Sequence, residues 1–277
     1  MKFAVNLPNF GFSSDPRAIA ELAIKAERAG WDGFFLWDHI AGKDIGNLPF
    51  HDPTVLLSII AITTKKIQLG ATITPLPRRR PWKVAREFIS IDHLSKGRLI
   101  TAFALGNPAS EFTAFGEEAD LKVRAQKLDE GLAILQGLWS GKTFSYHGDI
   151  YQVEEVEFMP KPYNGAIPII IGGFWPNKKP MIRASRYDGV YPTRNWPEKF
   201  SPDDLEKSLE YIKKYRGSLD NYEVIVGGKT PVEADKALEI IKPYQQAGAT
   251  CWSEDINEWR GSLEELTNRI EVGPPKL

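Results

Sequence analysis

The sequence predicts an α/β protein of the (β/α)8 barrel class, the TIM barrel. Short apolar segments alternate with amphipathic segments about eight times along the 277 residues, and strict alternation implies parallel strands joined by helical crossovers. No change of composition divides the chain, so we expect a single domain over residues 1–277. The alternative is an open doubly wound sheet, but its Gly-x-Gly-x-x-Gly signature is absent after the first strand.

The first strand–helix pair has readable boundaries. Residues 2–7 form an apolar strand that ends at Pro8. Asp15 can accept hydrogen bonds from free helix amides and Pro16 suits the first helical position, so a helix begins here and ends at Gly30. Its apolar face recurs at helical spacing in Ile19, Leu22, Ala23 and Ala26.

The second strand, residues 33–37, lacks polar side chains and therefore suits a parallel strand that is covered on both faces. Asp38 and His39 follow at its carboxyl end, where sites form in parallel α/β folds. The polar loop over residues 38–53 exceeds the usual connection of about 2–6 residues. A helix is expected over residues 54–63.

The middle of the chain repeats this alternation with one interruption. Pro81 opens the third helix and Gly97 closes it. Residues 142–158 predict a small β excursion before strand five, because aromatic and β-branched residues flank a turn at residues 147–149. We expect strands at residues 67–73, 98–105 and 167–171, and helices at residues 124–139 and 178–186.

The last third completes the count. Ser262 and Glu265 have the spacing of a capping box at the start of the final helix. The remaining strands are expected at residues 189–191, 222–226 and 249–252, and the remaining helices at residues 202–215, 231–247 and 262–270.

Composition narrows the functional classes. The formal net charge of −1 gives no reason to expect nucleic acid or an anionic membrane as a partner. The one cysteine, Cys251, excludes an internal disulfide and fits a reducing compartment. No apolar leader is visible, and the longest apolar run, residues 55–62, is shorter than the roughly 20 residues that cross a bilayer. We therefore expect a cytoplasmic protein.

If the barrel is correct, the carboxyl ends of its strands share one rim that carries glycines, aromatic rings and few charges. His39 is the main candidate there, because an imidazole can donate or accept a proton near neutral pH. The alternatives are a structural histidine that caps the strand end and a solvated loop residue. Asp38 could orient that ring, contact a ligand, or bind free loop amides.

Two further clusters have two interpretations each, and a third is expected at the surface. Gly172-Gly173 could bring backbone amides to a phosphate, helped by Arg183, or form a plain strand-to-helix turn. Residues 78–80, three arginines, could neutralise an anion, although we expect at least two of them to be solvated. Asp92 and its neighbour at residue 93 lie inside a helix and are expected at the surface.

Short motifs in a fixed order resemble the luciferase-like, flavin-dependent oxidoreductases over nearly the whole chain. They are AGWDG at residues 29–33, LWDH at 36–39, LG to Pro at 69–75, LSKGRL at 94–99, EF and AFG at 111–116, LWSG at 138–141, the segment 168–173 and RYDGV at 186–190. The resemblance implies a (β/α)8 barrel that binds FMN or a deazaflavin coenzyme at its carboxyl rim.

The resemblance also implies roles for individual residues. In the deazaflavin branch an Asp-His pair after strand two lies beside the cofactor ring, which makes Asp38 and His39 the implied catalytic pair. Thr72 and Ile73 would back the ring, in relatives often through a non-proline cis peptide, and the phosphate would bind at residues 172–174, with residues 227–229 as a fallback. The implied cofactor-binding residues are Asn6, Thr72, Ile73, Gly106, Gly172, Gly173, Phe174 and Arg183.

The implied activity is that of an oxidoreductase or monooxygenase acting on a small organic substrate, by hydride transfer or, with FMN, by oxygen insertion. Relatives suggest a homodimer, and FMN chemistry leaves room for a separate flavin reductase. The alternatives are a flavin-binding protein without turnover and a metal-dependent barrel hydrolase that uses Asp38, His39, His51 and Asp52. No His-x-His or His-Glu-x-x-His spacing supports a metal site.

Overall fold

The computed structural model describes residues 1–11, 15–42 and 48–276, so residues 43–47 of the predicted long loop lie outside the described residues. Within these ranges eleven strands lie at Lys2–Leu7 (β1), Gly33–Leu36 (β2), Gln68–Ala71 (β3), Thr74–Pro75 (β4), Thr101–Ala104 (β5), Phe144–His147 (β6), Gln152–Val156 (β7), Ile169–Phe174 (β8), Gly189–Thr193 (β9), Glu223–Gly228 (β10) and Cys251–Asp255 (β11).

Nine α-helices alternate with these strands in the same described ranges. They are Pro16–Ala29 (α1), Pro53–Thr63 (α2), Pro81–Ser95 (α3), Ser110–Thr113 (α4), Leu121–Trp139 (α5), Lys178–Ala184 (α6), Pro202–Arg216 (α7), Ala234–Gln246 (α8) and Leu263–Val272 (α9). None of them is long and apolar enough to cross a bilayer.

Nine strands form a parallel sheet in the order β3-β2-β1-β11-β10-β9-β8-β5-β4. The strands at the two ends of this order, β3 and β4, follow each other directly in the chain. On their other sides β3 pairs with β2 and β4 pairs with β5. A bridge between Leu69 and Leu99 joins the same seam. The sheet therefore closes into a ring with eight strand positions, where β3 and β4 together count as one. This confirms the predicted (β/α)8 barrel and rules out the open sheet.

Apolar side chains fill both faces of the ring. The inward set is small and comes from alternate strand positions: Ala4, Phe35, Ile100, Ala102, Ile170, Tyr191, Ile225 and Cys251, with Ile73 packed against it. The larger set lies between the strands and the helices. Burial on both faces explains why the second strand carries no polar side chain.

The predicted helix boundaries follow from local capping. Asp15 accepts hydrogen bonds from the amides of Arg17 and Ala18, and Gly30 ends α1 in the left-handed conformation at φ 89°. Ser262 and Glu265 form the predicted capping box of α9. The short helix α4 was not predicted, because its four residues are too few for a helical pattern.

The β excursion is an antiparallel hairpin of β6 and β7, as predicted. Two other predictions are wrong. Strand β8 does not end at Gly172-Gly173 but continues to Phe174, paired with β9. Asp92 is not a surface residue: it is buried and accepts a hydrogen bond of 2.7 Å from the Tyr163 amide, which ties α3 to the segment before β8. Burial raises the pKa of this carboxyl.

Candidate active site

His39 follows the carboxyl end of β2, and its ring is held by Glu111 from α4, the short helix after β5. The distance from His39 Nδ1 to Glu111 Oε1 is 2.8 Å. The other oxygen of Glu111 accepts a hydrogen bond of 2.5 Å from Arg78, so the carboxylate acts as an acceptor on both sides. In the neutral ring Nδ1 then carries the proton as the donor to Glu111, and the lone pair lies on Nε2.

The free nitrogen of His39 is available for chemistry. Nε2 makes no hydrogen bond with any described residue, and 27% of the side chain is exposed. A neutral imidazole with an exposed, unprotonated Nε2 can accept a proton from a substrate hydroxyl. The neighbouring carboxylate would stabilise the imidazolium that results.

The backbone of His39 is fixed by Asn9, which is fully buried in the loop after β1. Its side-chain oxygen accepts from the His39 amide at 2.9 Å, and its side-chain nitrogen donates to the His39 carbonyl at 2.7 Å. The same nitrogen donates to the His51 carbonyl at 2.9 Å. Asn9 therefore joins the loop after β1 to two points of the loop after β2, one of which is His39 itself.

Asp38 does not orient the ring of His39. Its buried carboxylate accepts hydrogen bonds from Arg78 at 2.6 Å and Arg79 at 3.2 Å. Burial raises the pKa of Asp38, and the guanidinium groups of Arg79 and Arg78 oppose that rise. Two of the three arginines at residues 78–80 are thus engaged in ion pairs, and the prediction that at least two are solvated is wrong.

Glu111 and Asn9 were not predicted as site residues. Glu111 stands 72 positions from His39 in the sequence, and Asn9 lies in a loop that has no pattern of its own. The Glu-Phe pair at residues 111–112 was a visible signal, because it belongs to the family resemblance, but nothing in the sequence connects it to His39.

Asn6, Thr72 and Ile73 come together at the barrel mouth as predicted. Thr72 Oγ1 donates to Asn6 Oδ1 at 3.1 Å, and both side chains are buried. The peptide bond between Thr72 and Ile73 is cis, as the family resemblance implies. A Cβ on Gly172 would overlap Ile73 Cδ1, so the missing side chain of Gly172 makes room for Ile73.

Other predicted cofactor ligands have structural partners. The Gly106 carbonyl accepts a hydrogen bond of 2.9 Å from Arg124. Gly173 lies within β8, where a Cβ would overlap Pro180 of α6. Arg183 donates two hydrogen bonds, of 2.7 and 2.8 Å, to Asp129. Phe174 is the last residue of β8 and pairs with β9. A phosphate role for these residues stays a prediction.

A second carboxylate group lies at the end of β11. Glu254 is buried and accepts hydrogen bonds of 2.9 and 2.8 Å from the amide and hydroxyl of Thr230, and it also pairs with Arg260. The carboxylate of Asp255 accepts no hydrogen bond from a described residue. Burial, reinforced by the charge of Glu254, raises the pKa of Asp255 to about 7, whereas Lys229 and Arg260 oppose the rise.

The described residues contain no group of three or more His, Cys, Asp and Glu side chains that could hold a metal ion. The carboxylates that the hydrolase alternative would use have other partners: Asp38 pairs with two arginines, and Asp52 caps α2. His39 is held by Glu111. This part of the chain thus gives the hydrolase alternative no support.

Comparison with known proteins decides the family. Residues 1–273 match the family model described as luciferase-like monooxygenase. The chain belongs to the luciferase-like monooxygenase family. Membership confirms the predicted class, an oxidoreductase of the flavin or deazaflavin type, and accounts for the barrel and for the motifs found along the chain.

Proteins that resemble this chain are named for different cofactors. A protein named F420-dependent glucose-6-phosphate dehydrogenase, from Nakamurella multipartita, is 26% identical over 265 residues, which cover 91% of this chain and 76% of that protein. A solved F420-dependent secondary alcohol dehydrogenase has a TM-score of 0.81 at 18% identity, covering 98% of this chain and 96% of the other.

A second solved structure binds a different cofactor. The oxygenating constituent of 3,6-diketocamphane monooxygenase from Pseudomonas putida, in complex with FMN, has a TM-score of 0.75 at 15% identity, covering 98% of this chain and 96% of the other. At these identities the two structures establish the shared fold. The same barrel is therefore found in a protein named for F420 and in a protein solved with FMN.

Proposed function

We propose that this protein is a deazaflavin-dependent oxidoreductase that oxidises a small organic alcohol, or reduces the corresponding carbonyl compound. The observation that carries the proposal is the partly exposed ring of His39, whose Nδ1 is hydrogen-bonded to Glu111 and whose Nε2 has no partner among the described residues. The F420 dependence of a relative that aligns over 91% of the chain supports the deazaflavin.

The barrel mouth fits a flat heteroaromatic ring with polar edges. Ile73 is half-buried and offers apolar surface at the mouth. Asn6, in β1, and Thr72, after β3, are buried polar groups joined by a hydrogen bond. The pairing of Gly172 with Ile73 keeps that apolar surface in place. These residues would hold the ring, and His39 would face the substrate beside it.

The bound coenzyme would supply a two-electron hydride acceptor or donor. His39 Nε2 would take the hydroxyl proton of the alcohol as its carbon gives up a hydride and the C=O bond forms. Glu111 would stabilise the imidazolium, because its carboxylate accepts the hydrogen bond from Nδ1. Arg78 would hold Glu111 and Asp38 in place as carboxylates. In the reverse direction His39 would return the proton to the carbonyl oxygen.

Titration of the purified protein with coenzyme F420 and, separately, with FMN tests the proposal by fluorescence and visible absorbance. We expect micromolar or tighter binding of F420 and weaker binding of FMN. Preferential binding of FMN would move the protein to the oxygen-using branch of the family, and binding of neither would refute the proposal. Retention of F420 without turnover of any alcohol or carbonyl compound would favour a non-catalytic binding protein.

Replacement of His39 by alanine separates catalysis from binding. Because a positioned acid–base group contributes about 10²–10⁴-fold, we expect turnover to fall by that range while the Kd for F420 changes less than about threefold. His147→Ala, in the exposed hairpin, is the matched control. An unchanged rate in the His39 variant would remove His39 from the catalytic role.

The phosphate ligands, a homodimer, a single domain and a cytoplasmic location stay predictions, as does a separate flavin reductase for FMN chemistry. Light scattering of the purified protein tests the dimer directly.

A further inference from the structure

Three aromatic side chains meet beside His39, and we call Phe10, Trp37 and Trp259 the aromatic wall. The ring centroids of Phe10 and Trp37 are 5.8 Å apart, and those of Trp37 and Trp259 are 6.2 Å apart with an interplanar angle of 29°. The ring of His39 lies 5.8 Å from Phe10 and 5.9 Å from Trp37. The wall is thus continuous with the catalytic imidazole.

The wall is a built surface. Phe10 is buried and packs on Phe50 at 5.0 Å. Trp259 is 57% exposed, yet the next residue, Arg260, anchors its loop by donating to Glu254, to the Asp255 carbonyl and to the Thr230 carbonyl. An exposed tryptophan in an anchored loop, with its ring 5.8 Å from Phe10 and 6.2 Å from Trp37, therefore extends the apolar surface that borders His39.

The charges around the wall are already compensated or negative. Arg78 and Arg79, the cations next to His39, are paired with Asp38 and Glu111. Glu258, beside Trp259, adds a carboxylate whose oxygens are buried and have no hydrogen-bond partner among the described residues. A phosphate dianion bound next to His39 would have to compete with Asp38 and Glu111 for these two arginines.

We propose that the aromatic wall binds the apolar body of an uncharged alcohol or ketone, with the reacting carbon beside His39, and that phosphorylated sugars are not substrates. The proposal rests on the proposed function, and it separates this chain from its relatives named glucose-6-phosphate dehydrogenases. For an alcohol the balance is complete: the hydride goes to the oxidised deazaflavin, the hydroxyl proton goes to His39, and a ketone leaves.

The substrate preference is tested with 1-phenylethanol and glucose 6-phosphate as alternative reductants of coenzyme F420. We expect turnover with 1-phenylethanol and none with glucose 6-phosphate. Efficient oxidation of glucose 6-phosphate would overturn the inference while leaving the proposed function intact. In that event Lys229, the exposed cation after β10, becomes the group to test, and loss of glucose 6-phosphate oxidation in Lys229→Ala would establish the opposite assignment.

The wall itself is tested with Trp259→Ala. We expect KM for 1-phenylethanol to rise about tenfold, as the loss of one aromatic contact and its buried area suggests, with kcat changed less than about twofold. Trp196→Ala is the matched control, because Trp196 is 92% exposed and makes no ring contact with the wall. An unchanged KM in the Trp259 variant would overturn the assignment.

A binding measurement keeps the inference testable if F420 does not bind. Calorimetric titration of the cofactor-free protein with acetophenone, the ketone product of 1-phenylethanol, reports on the wall alone. We expect binding that weakens at least fivefold in Trp259→Ala and is unchanged in Trp196→Ala. Equal affinity in all three proteins, or no binding to any of them, would refute the wall as a ligand site.

Discussion

Replacement of Glu111 by glutamine probes how His39 is prepared for proton transfer. In the native site one carboxylate oxygen accepts from His39 Nδ1 and the other accepts from Arg78. A glutamine must turn its oxygen to Arg78, because the opposite arrangement would set its amide group against the guanidinium donors. Its amide group would then donate to Nδ1, which moves the ring proton to Nε2 and blocks the base.

The size of the effect follows from the contacts that are lost. A hydrogen bond to a charged group is worth about 1.5–3 kcal/mol, and each 1.36 kcal/mol is a factor of ten in rate. The imidazolium that forms during turnover loses this partner, so we expect kcat to fall about 10- to 150-fold. The Kd for the cofactor should stay within about threefold, because Glu111 contacts His39, Ile40 and Arg78.

Steady-state kinetics and nitrogen-15 NMR of the four histidines measure the two parts of this prediction. The NMR signal of His39, assigned by its absence in His39→Ala, should shift from the Nδ1-protonated to the Nε2-protonated tautomer. Glu117→Gln serves as the control, because Glu117 is an exposed neighbour whose nearest ion-pair distance is 3.8 Å. Thermal unfolding of each variant checks that the fold is intact.

A normal kcat in Glu111→Gln would refute the argument that this carboxylate sets the state of His39. An Nε2-protonated tautomer in the unmodified protein would refute it as well, since the proposed base would then carry a proton already. A reduced kcat with an unchanged tautomer would assign the loss to charge alone.

Two further predictions concern the surroundings of the site. Asn9→Ala should lower the free energy of unfolding by about 1–3 kcal/mol and reduce kcat, because backbone groups of His39 and His51 lose the hydrogen bonds to Asn9. Urea unfolding measures the first effect and steady-state kinetics the second, and an unchanged free energy of unfolding with an unchanged kcat would contradict the prediction. The pKa of Asp255 is about 7 in the folded protein, against an ordinary 3.8. Between these pH values the native state binds more protons than the unfolded state, so the free energy of unfolding falls as pH rises from about 4 to 7. Asp255→Asn should remove this penalty, which is worth up to about 4 kcal/mol above pH 7 at 1.36 kcal/mol per pKa unit. The gain in Tm should therefore be larger at pH 8 than at pH 5, and an equal gain at both pH values would contradict the prediction.

The architecture was predictable because its signals are local. Pro16 and Asp15 mark the start of α1 within two positions of each other, and the inward and outward faces of β2 show as an unbroken apolar run. The eightfold alternation of such segments leaves a barrel as the compact solution. The end of β8 was misplaced, because Gly172 looks like a turn residue until Ile73 is seen to fill the space beside it.

The placement of Asp38 and His39 at the end of a buried strand was also visible in the sequence, and so was their neighbourhood at the rim. The different contacts of the two side chains were not visible in the sequence. Ring orientation belongs to Glu111, whereas Asp38 binds Arg78 and Arg79. Each of these partners approaches from another loop, and the choice among several nearby carboxylates and cations depends on distances that only the closed barrel defines.

The sequence by itself determined the barrel, the family and the strand end at which His39 stands, because hydrophobic period, helix caps and ordered motifs act over a few residues. Only the tertiary structure decided which groups touch His39. Asn9 lies after β1 and Glu111 lies in α4, after β5, whereas Trp259 lies after β11 and borders the site through its contact with Trp37. Barrel closure brings the carboxyl ends of the strands to one rim, so residues far apart in the chain become neighbours: a carboxylate at His39 Nδ1 and aromatic rings beside the imidazole.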